Sequence, residues 1–153
     1  METTTKPVIA SHSSVYSLCA SHRNLKDEQI KAIAANNGVV MVNFYPGYID
    51  SAFWEREIAF FDRHKQESDS LMEVFQNEEW LVEYHLYHKY AEEANAMRPS
   101  LSALVDHIDY IVQLVGVDHV GLGSDFDGIT INPGQLDDVS DLPLITEELV
   151  KRE

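Results

Sequence analysis

Short apolar runs alternate with helical patterns along most of the chain. Helical spacing of apolar side chains predicts helices from Asp27 to Asn36 and from Leu101 to Val115, and a further short helix is predicted from about Pro143. The apolar runs predict three buried strands, at 7–11, 39–44 and 119–124. Almost wholly apolar strands that alternate with helices are typical of parallel βαβ units. The pattern therefore predicts an α/β fold.

Residues at the predicted helix ends support these boundaries. Ser100 is a good N-cap for the helix that begins at Leu101, and Gly116 ends that helix. Gly38 suits a left-handed C-cap after the helix that begins at Asp27. We therefore expect each predicted strand to be preceded or followed by a well-marked helix.

The segment 50–98 departs from this alternation, because it is long, acidic and rich in aromatic residues. No Gly or Pro lies between Gly47 and Pro99, so the segment predicts two helices rather than open loop. We interpret residues 50–98 as a helical insert within a single, incomplete domain that covers residues 1–153. Three strands alone make a poor sheet, because both edges and both faces would need cover.

Composition and charge narrow the class of protein. Hydrophobic residues make up 44% and charged residues 24% of the 153 residues, as in ordinary globular domains. The net charge of −15 argues against nucleic acid or an anionic membrane as partner. The single cysteine, Cys19, excludes an internal disulfide framework. No apolar run predicts a secretory signal or a membrane segment, and the sequence assigns no compartment.

Two of the predicted strands are followed by residues of the types that commonly bind metals. His12 follows the first strand, and Asp125 and Asp127 follow the third. In α/β barrels the carboxyl ends of the strands carry the chemistry. One imidazole and one carboxylate cannot complete a catalytic zinc site, which takes about three protein ligands. The sequence therefore predicts part of an active site whose other ligands lie elsewhere.

The remaining candidates have plain structural alternatives. Arg23 could hold a substrate carboxylate through its rigid guanidinium, or it could be a surface arginine that precedes a helix. His22 could be a second metal ligand, but a position at the surface is favoured. His85 and His88 lie three residues apart on a predicted helix without the companion glutamate of a zinc-binding helix, so structural or exposed roles are favoured. We interpret His107 and His119 as structural.

The sequence Asp125-Phe126-Asp127-Gly128 allows two further interpretations. A calcium EF-hand loop is excluded, because its glycine and acidic ligands fall at other positions. A haloacid-dehalogenase-type phosphatase also begins with Asp-x-Asp-Gly after a strand, the first aspartate being the nucleophile. That fold needs far more chain downstream than residues 129–153 provide. The phosphatase remains an alternative.

Four motifs in this order resemble the membrane dipeptidase (renal dipeptidase-like) zinc metallopeptidases. The resemblance covers most of the chain outside residues 50–98. The motifs are residues 7–14, Arg23-Asn24, residues 42–45 and residues 121–128. It implies a partial TIM (β/α)8 barrel of the amidohydrolase type, with this chain covering about strands six to eight.

The resemblance also implies roles for four residues and a cofactor. His12 matches a zinc ligand, and Asp125 matches the acid that handles the proton of the attacking water. Arg23 matches the arginine that binds the terminal carboxylate of the dipeptide substrate, and Tyr48 resembles a tyrosine that lines the pocket. The intact parent would hold two zinc ions, of which this chain binds at most a part.

Other site residues of that family are missing from this sequence. The resemblance implies that the first-strand His-x-Asp, a bridging glutamate and two further histidines lie upstream of Met1. We therefore expect a C-terminal fragment that is inactive by itself. The alternative is a non-catalytic module that pairs with another chain through the aromatic insert, and a homodimer is one form that such pairing could take.

Overall fold

The centre of the fold is a parallel three-stranded sheet, seen in a computed structural model that describes residues 4–152. The strands lie side by side in chain order, and they are β1 (Ile9–Ala10), β2 (Val39–Asn43) and β3 (Val120–Ser124). Ile9 pairs with Val39, and Val40 pairs with Val120. The predicted α/β alternation is confirmed. The first strand is shorter than expected, because the chain turns at Ser11 and His12.

Three helices cover the sheet, and one short helix links the middle strand to the insert. The longest, α7, packs against α1, α8 and β3. The helices are α1 (Asp27–Ala35), α2 (Pro46–Ile49), α3 (Phe53–Arg63), α4 (Lys65–Val74), α5 (Glu79–Lys89), α6 (Ala91–Met97), α7 (Leu101–Val115) and α8 (Leu142–Val150). The helices predicted from Asp27, Leu101 and about Pro143 are confirmed.

The cap of α7 forms as expected, whereas the cap of α1 does not. The Ser100 hydroxyl accepts a hydrogen bond from the Ala103 backbone N–H at 3.1 Å, and Gly116 ends α7 with φ of 98°. After α1 the left-handed residue is Asn37, with φ of 56°, so the cap predicted at Gly38 is wrong. Gly38 serves close packing instead, because a Cβ there would overlap the backbone oxygen of Val8.

The insert contains four helices, α3 to α6, where the sequence predicted two. The break between α4 and α5 falls at Gln76 and Asn77, which take left-handed φ values of 54° and 67°. The other breaks lie at His64 and Tyr90, and neither contains Gly or Pro. The prediction was wrong because short polar and aromatic turns replaced the expected glycine and proline signals.

The described residues form two apolar cores. The first joins the sheet to α1, α7 and α8 and includes Val40, Phe44, Leu104 and Ile111. The second lies within the insert, around Phe53, Phe60, Leu86 and Tyr87.

Among residues 4–152, each outer strand of the sheet is paired along one side only. β1 and β3 each have a single neighbour in the sheet, and Ile9 on β1 and Leu122 on β3 are 65% and 38% exposed. Exposed apolar side chains on edge strands are usually covered by further structure. Within residues 4–152 no helix is long and apolar enough to cross a membrane.

Candidate functional site

One cleft gathers all four residues that the sequence singled out. It has a volume of about 400 Å³ and is lined by His12, Arg23, Tyr48 and Asp125. His12 follows β1 and Asp125 follows β3, so the parallel sheet brings both to the same edge. The expected convergence of these side chains on one cleft is therefore present in the structure.

The ring of His12 has one nitrogen suited to a metal ion. Nε2 lies 3.1 Å from Nη2 of Arg23, and Nδ1 lies 2.8 Å from the hydroxyl of Ser11. A guanidinium group only donates hydrogen bonds, so Nε2 accepts and carries the lone pair. In the neutral ring Nδ1 then holds the proton and donates to Ser11. This is the tautomer in which Nε2 can bind a metal.

Asp125 is held in place at the end of β3 by an unusual backbone and by one side chain. Ser124 and Asp125 have φ values of 27° and 78°, which cost on the order of 1–3 kcal/mol each in a non-glycine residue. The amide of Asn43 donates to Oδ2 of Asp125 at 3.0 Å. Asn43 itself is fully buried at the end of β2. Asn43 therefore orients the carboxylate.

The sequence indicated no role for Asn43, although it offered a signal. Asn43 is the one polar residue in the apolar run 39–44. A polar side chain at the carboxyl end of a buried strand is a candidate site residue in an α/β fold. The contact with Asp125 spans 82 positions of chain, so local spacing could not reveal it.

Arg23 stands out among the arginines of the chain. The Arg23 guanidinium contacts His12 and lies 5.9 Å from the centre of the Tyr48 ring. Among the described residues it forms no ion pair with a carboxylate. The other arginines do form such pairs, and they are Arg56, Arg63, Arg98 and Arg152. Arg23 therefore retains the capacity to bind an external carboxylate.

Asn24 ties together the loops that carry the cleft residues. It is 5% exposed, and its side-chain oxygen accepts from the Ser14 backbone N–H at 3.0 Å. Its amide donates to the backbone oxygens of Cys19 at 2.9 Å and Tyr48 at 2.8 Å. The loop after β1, the turn before α1 and the helix α2 thus share one buried side chain.

The insert supplies one wall of the cleft. Trp54 of α3 and both Trp80 and Glu83 of α5 line it, together with Thr130 from the loop after β3. The Thr130 hydroxyl donates to Oε2 of Glu83 at 2.7 Å. A larger cleft of about 860 Å³ adjoins this wall and shares Trp80 and Thr130. The sequence assigned no site residue to 50–98, because nothing local links Glu83 to the strand ends.

The described residues fit part of a metal site and no more. Among residues 4–152 no three His, Cys, Asp or Glu side chains come together to hold an ion. His12 has the right chemistry for one ligand position, and Asp125 lines the same cleft. The other ligands of a zinc ion would have to come from outside this stretch.

The remaining histidines have the structural or exposed positions expected of them. His107 is buried, with Nδ1 accepting from the Val15 backbone N–H and Nε2 donating to the Ile49 backbone oxygen, each at 3.0 Å. His88 is exposed and bonds the backbone oxygen of Tyr84. His22 is also exposed, and His119 bonds the backbone oxygen of Gly38.

The fold is that of an α/β protein, and its polar cleft lies at the carboxyl ends of a parallel sheet and contains residue types that bind metals. Enzymes with α/β folds have their active sites at this end of the sheet. The model of the family described as "Membrane dipeptidase (Peptidase family M19)" matches residues 1–153. The chain belongs to this family of metallopeptidases.

Relatives in sequence and structure agree with this membership. The chain is 33% identical over 149 residues to a protein named dipeptidase aclJ from Aspergillus oryzae. The match covers 97% of this chain and 25% of that protein. It is similar to the probable dipeptidase PvdM from Pseudomonas aeruginosa, with 28% identity and a TM-score of 0.64, over 97% of this chain and 40% of that one.

A third likeness supports the fold alone. A metallo peptidase from Rhodobacter sphaeroides, solved with a phosphinate mimic of the dipeptide L-Ala-D-Ala, shares 24% identity and a TM-score of 0.62, over 96% of this chain and 30% of that chain. The chain thus spans a quarter to two fifths of the length of these relatives.

Proposed function

We propose that this chain is the C-terminal part of a zinc-dependent dipeptidase that hydrolyses dipeptides when intact. In this proposal the three strands correspond to about strands six to eight of a (β/α)8 barrel of the amidohydrolase type. The open sides of β1 and β3 are then where the remaining strands would pair. The observation that carries the proposal is the cleft lined by His12, Arg23, Tyr48 and Asp125 at the strand ends.

His12 would hold zinc through Nε2, the nitrogen that carries the lone pair. The contact between Ser11 and Nδ1 keeps the ring in the tautomer that such binding requires. When bound, zinc lowers the pKa of a water molecule so that it ionises near neutral pH. The intact protein would hold two ions, with most ligands outside residues 4–152. An ion on Nε2 would replace the contact with Arg23 and release that guanidinium.

Asp125 would act as the general base and acid of the reaction. It would take the proton of the attacking water and pass it to the leaving amine of the dipeptide. Asn43 supports this role, because its amide fixes Oδ2 and leaves the other carboxylate oxygen for the proton. The strained backbone at Ser124 and Asp125 fits a residue whose position matters more than its local stability.

Arg23 would bind the carboxylate at the C-terminal end of the dipeptide. Its guanidinium has no carboxylate partner among the described residues and can form two parallel hydrogen bonds with one. Tyr48 lies beneath the guanidinium and would line the same pocket. Fixing one end of the substrate at Arg23 would place the peptide bond of a short peptide, and not of a longer one, over the catalytic groups.

The substitution Arg23→Ala in the full-length protein tests this proposal. The KM for an unmodified dipeptide should rise roughly 10- to 100-fold, because a hydrogen-bonded pair with a charged group contributes on the order of 1.5–3 kcal/mol. The KM for the corresponding dipeptide amide should not change, since that substrate has no carboxylate. Arg63→Ala is the matched control, because Arg63 pairs with Glu93 at 54% side-chain exposure and does not line the cleft. An unchanged KM for the unmodified dipeptide would refute the proposal that Arg23 binds the substrate carboxylate.

A further inference from the structure

Glu83 places a carboxylate on the wall of the cleft that the insert supplies. It lies on α5, it is partly buried, and it lines the same cleft as Arg23 and Asp125. The Thr130 hydroxyl holds its Oε2 at 2.7 Å. Among the described residues its Oε1 has no hydrogen-bond partner, so one oxygen remains available to a ligand.

No cation within residues 4–152 forms an ion pair with Glu83. Two other carboxylates of the insert do form ion pairs, Glu67 with Lys89 and Glu93 with Arg63. A second carboxylate of the insert, Glu57, accepts a hydrogen bond from the Tyr87 hydroxyl at 2.7 Å. Burial, opposed by that hydrogen bond and reinforced by the charge of Glu83, raises the pKa of Glu57. The charge of Glu83 is therefore felt within the wall and has no local counter-ion.

The two walls of the cleft thus carry opposite charges. Arg23 is a guanidinium without a carboxylate partner, and Glu83 is a carboxylate without a cationic partner, both within the described part of the chain. An unmodified dipeptide is a zwitterion that carries a carboxylate at one end and an ammonium group at the other. Its charges match those of the cleft.

We propose that Glu83 is a specificity-determining residue that binds the α-ammonium group of the dipeptide, while Arg23 binds its carboxylate. This inference rests on the proposed function. Asp125 is a poorer receptor for the ammonium group, because Asn43 already occupies Oδ2 and the remaining oxygen serves proton transfer.

The chain offers its own optical probe of the cleft. It contains two tryptophans, Trp54 and Trp80, and both line the cleft. Tryptophan fluorescence of the 153-residue chain therefore reports ligand binding there without zinc and without turnover. Binding to the residues of this chain can then be measured apart from catalysis.

Three ligands separate the two ends of the substrate. Ala-Ala carries both charges, N-acetyl-Ala-Ala lacks the ammonium group, and Ala-Ala amide lacks the carboxylate. The wild-type chain should bind Ala-Ala more tightly than either derivative. Glu83→Gln keeps an acceptor for Thr130 but removes the charge. It should weaken Ala-Ala and Ala-Ala amide roughly tenfold and leave N-acetyl-Ala-Ala unchanged.

Two further variants complete the test. Arg23→Ala should weaken Ala-Ala and N-acetyl-Ala-Ala and leave Ala-Ala amide unchanged. Glu79→Gln removes the same charge from an exposed position of α5 outside the cleft, and it should change no affinity. Far-UV circular dichroism of each variant establishes that the chain remains folded.

The inference and the proposed function fail in different ways. If Glu83→Gln leaves the affinity for Ala-Ala unchanged while Arg23→Ala weakens it, the inference is overturned and the proposed function stands. Equal weakening of all three ligands by Glu83→Gln also overturns the inference, because the effect would not depend on the ammonium group. If Ala-Ala does not perturb the fluorescence of the wild-type chain, the inference is overturned, whereas the proposed function concerns the intact protein and is judged by the Arg23→Ala kinetics.

Discussion

Replacing Asn24 with alanine should destabilise the chain strongly, because one buried side chain joins three loops of the cleft. The substitution removes the acceptor of the Ser14 N–H and both donors to the backbone oxygens of Cys19 and Tyr48. These hydrogen bonds are 2.8 to 3.0 Å long and Asn24 is 5% exposed, so water cannot easily replace the lost partner.

The expected loss in the free energy of unfolding is about 3 kcal/mol. Each of the three hydrogen bonds contributes on the order of 1 kcal/mol, and a buried group left without a partner costs about 1–3 kcal/mol. Domains of this size are typically stable by roughly 5–15 kcal/mol. The substitution should therefore shift the urea midpoint clearly without abolishing folding.

Urea titration of the purified chain, followed by far-UV circular dichroism, measures this loss. Asn24→Asp is an informative companion, because it keeps the acceptor for Ser14 and directs a negative charge at the carbonyl oxygens of Cys19 and Tyr48. It should be at least as destabilising as Asn24→Ala at neutral pH. Gln66→Ala on the exposed surface of α4 is the control and should stay within about 0.5 kcal/mol. A loss below about 1 kcal/mol for Asn24→Ala would refute this account of how the cleft is held together.

Three other predictions concern pH, geometry and activity. Burial lowers the pKa of His107 below its ordinary value of 6.5, so the unfolded chain binds a proton at a higher pH than the folded chain does. The free energy of unfolding should therefore fall as the pH drops below about 6.5, by at most about 1.4 kcal/mol per pH unit. His107→Gln should flatten this slope in urea titrations, and an unchanged slope would exclude His107 as its source. Gly128→Ala would place a Cβ 2.5 Å from Oδ1 of Asp125 and so displace that carboxylate. We expect kcat of the full-length protein to fall about 10- to 100-fold while KM is retained, and an unchanged kcat would show that catalysis tolerates the displacement. The 153-residue chain with added zinc should not hydrolyse dipeptides, and turnover would refute the claim that this chain carries only part of the active site. Release of phosphate from p-nitrophenyl phosphate with magnesium would instead favour the phosphatase alternative.

Local sequence signals predicted the elements whose ends they mark. Ser100 and Gly116 mark the two ends of α7 as expected, and most of the apolar run 39–44 forms β2, which ends at Asn43. The insert was predicted less well, because its turns at Gln76 and Asn77 use left-handed residues other than glycine. Short-range patterns identify a helix end when the usual residues stand there, and they fail when other residues take the same backbone conformation.

The site was predicted only as far as strand ends reveal it. His12 and Asp125 follow apolar strands, so their meeting in one cleft follows from parallel strand order. Glu83 could not be found in this way, because it lies on a helix and its contact with Thr130 joins residues 47 positions apart. Asn43 does stand at a strand end, but its partner Asp125 is 82 positions away. Such contacts depend on how loops and insert pack, which no local spacing encodes.

The kinetic effect of Asp125→Asn in the full-length protein tests the central claim most directly. Asparagine keeps the shape of the side chain and removes its capacity to carry a proton. The account predicts that kcat for an unmodified dipeptide falls about 10²- to 10⁴-fold while bound zinc and KM stay nearly unchanged. A variant that retains wild-type kcat would contradict the claim that His12, Arg23 and Asp125 act together in one cleft on a dipeptide.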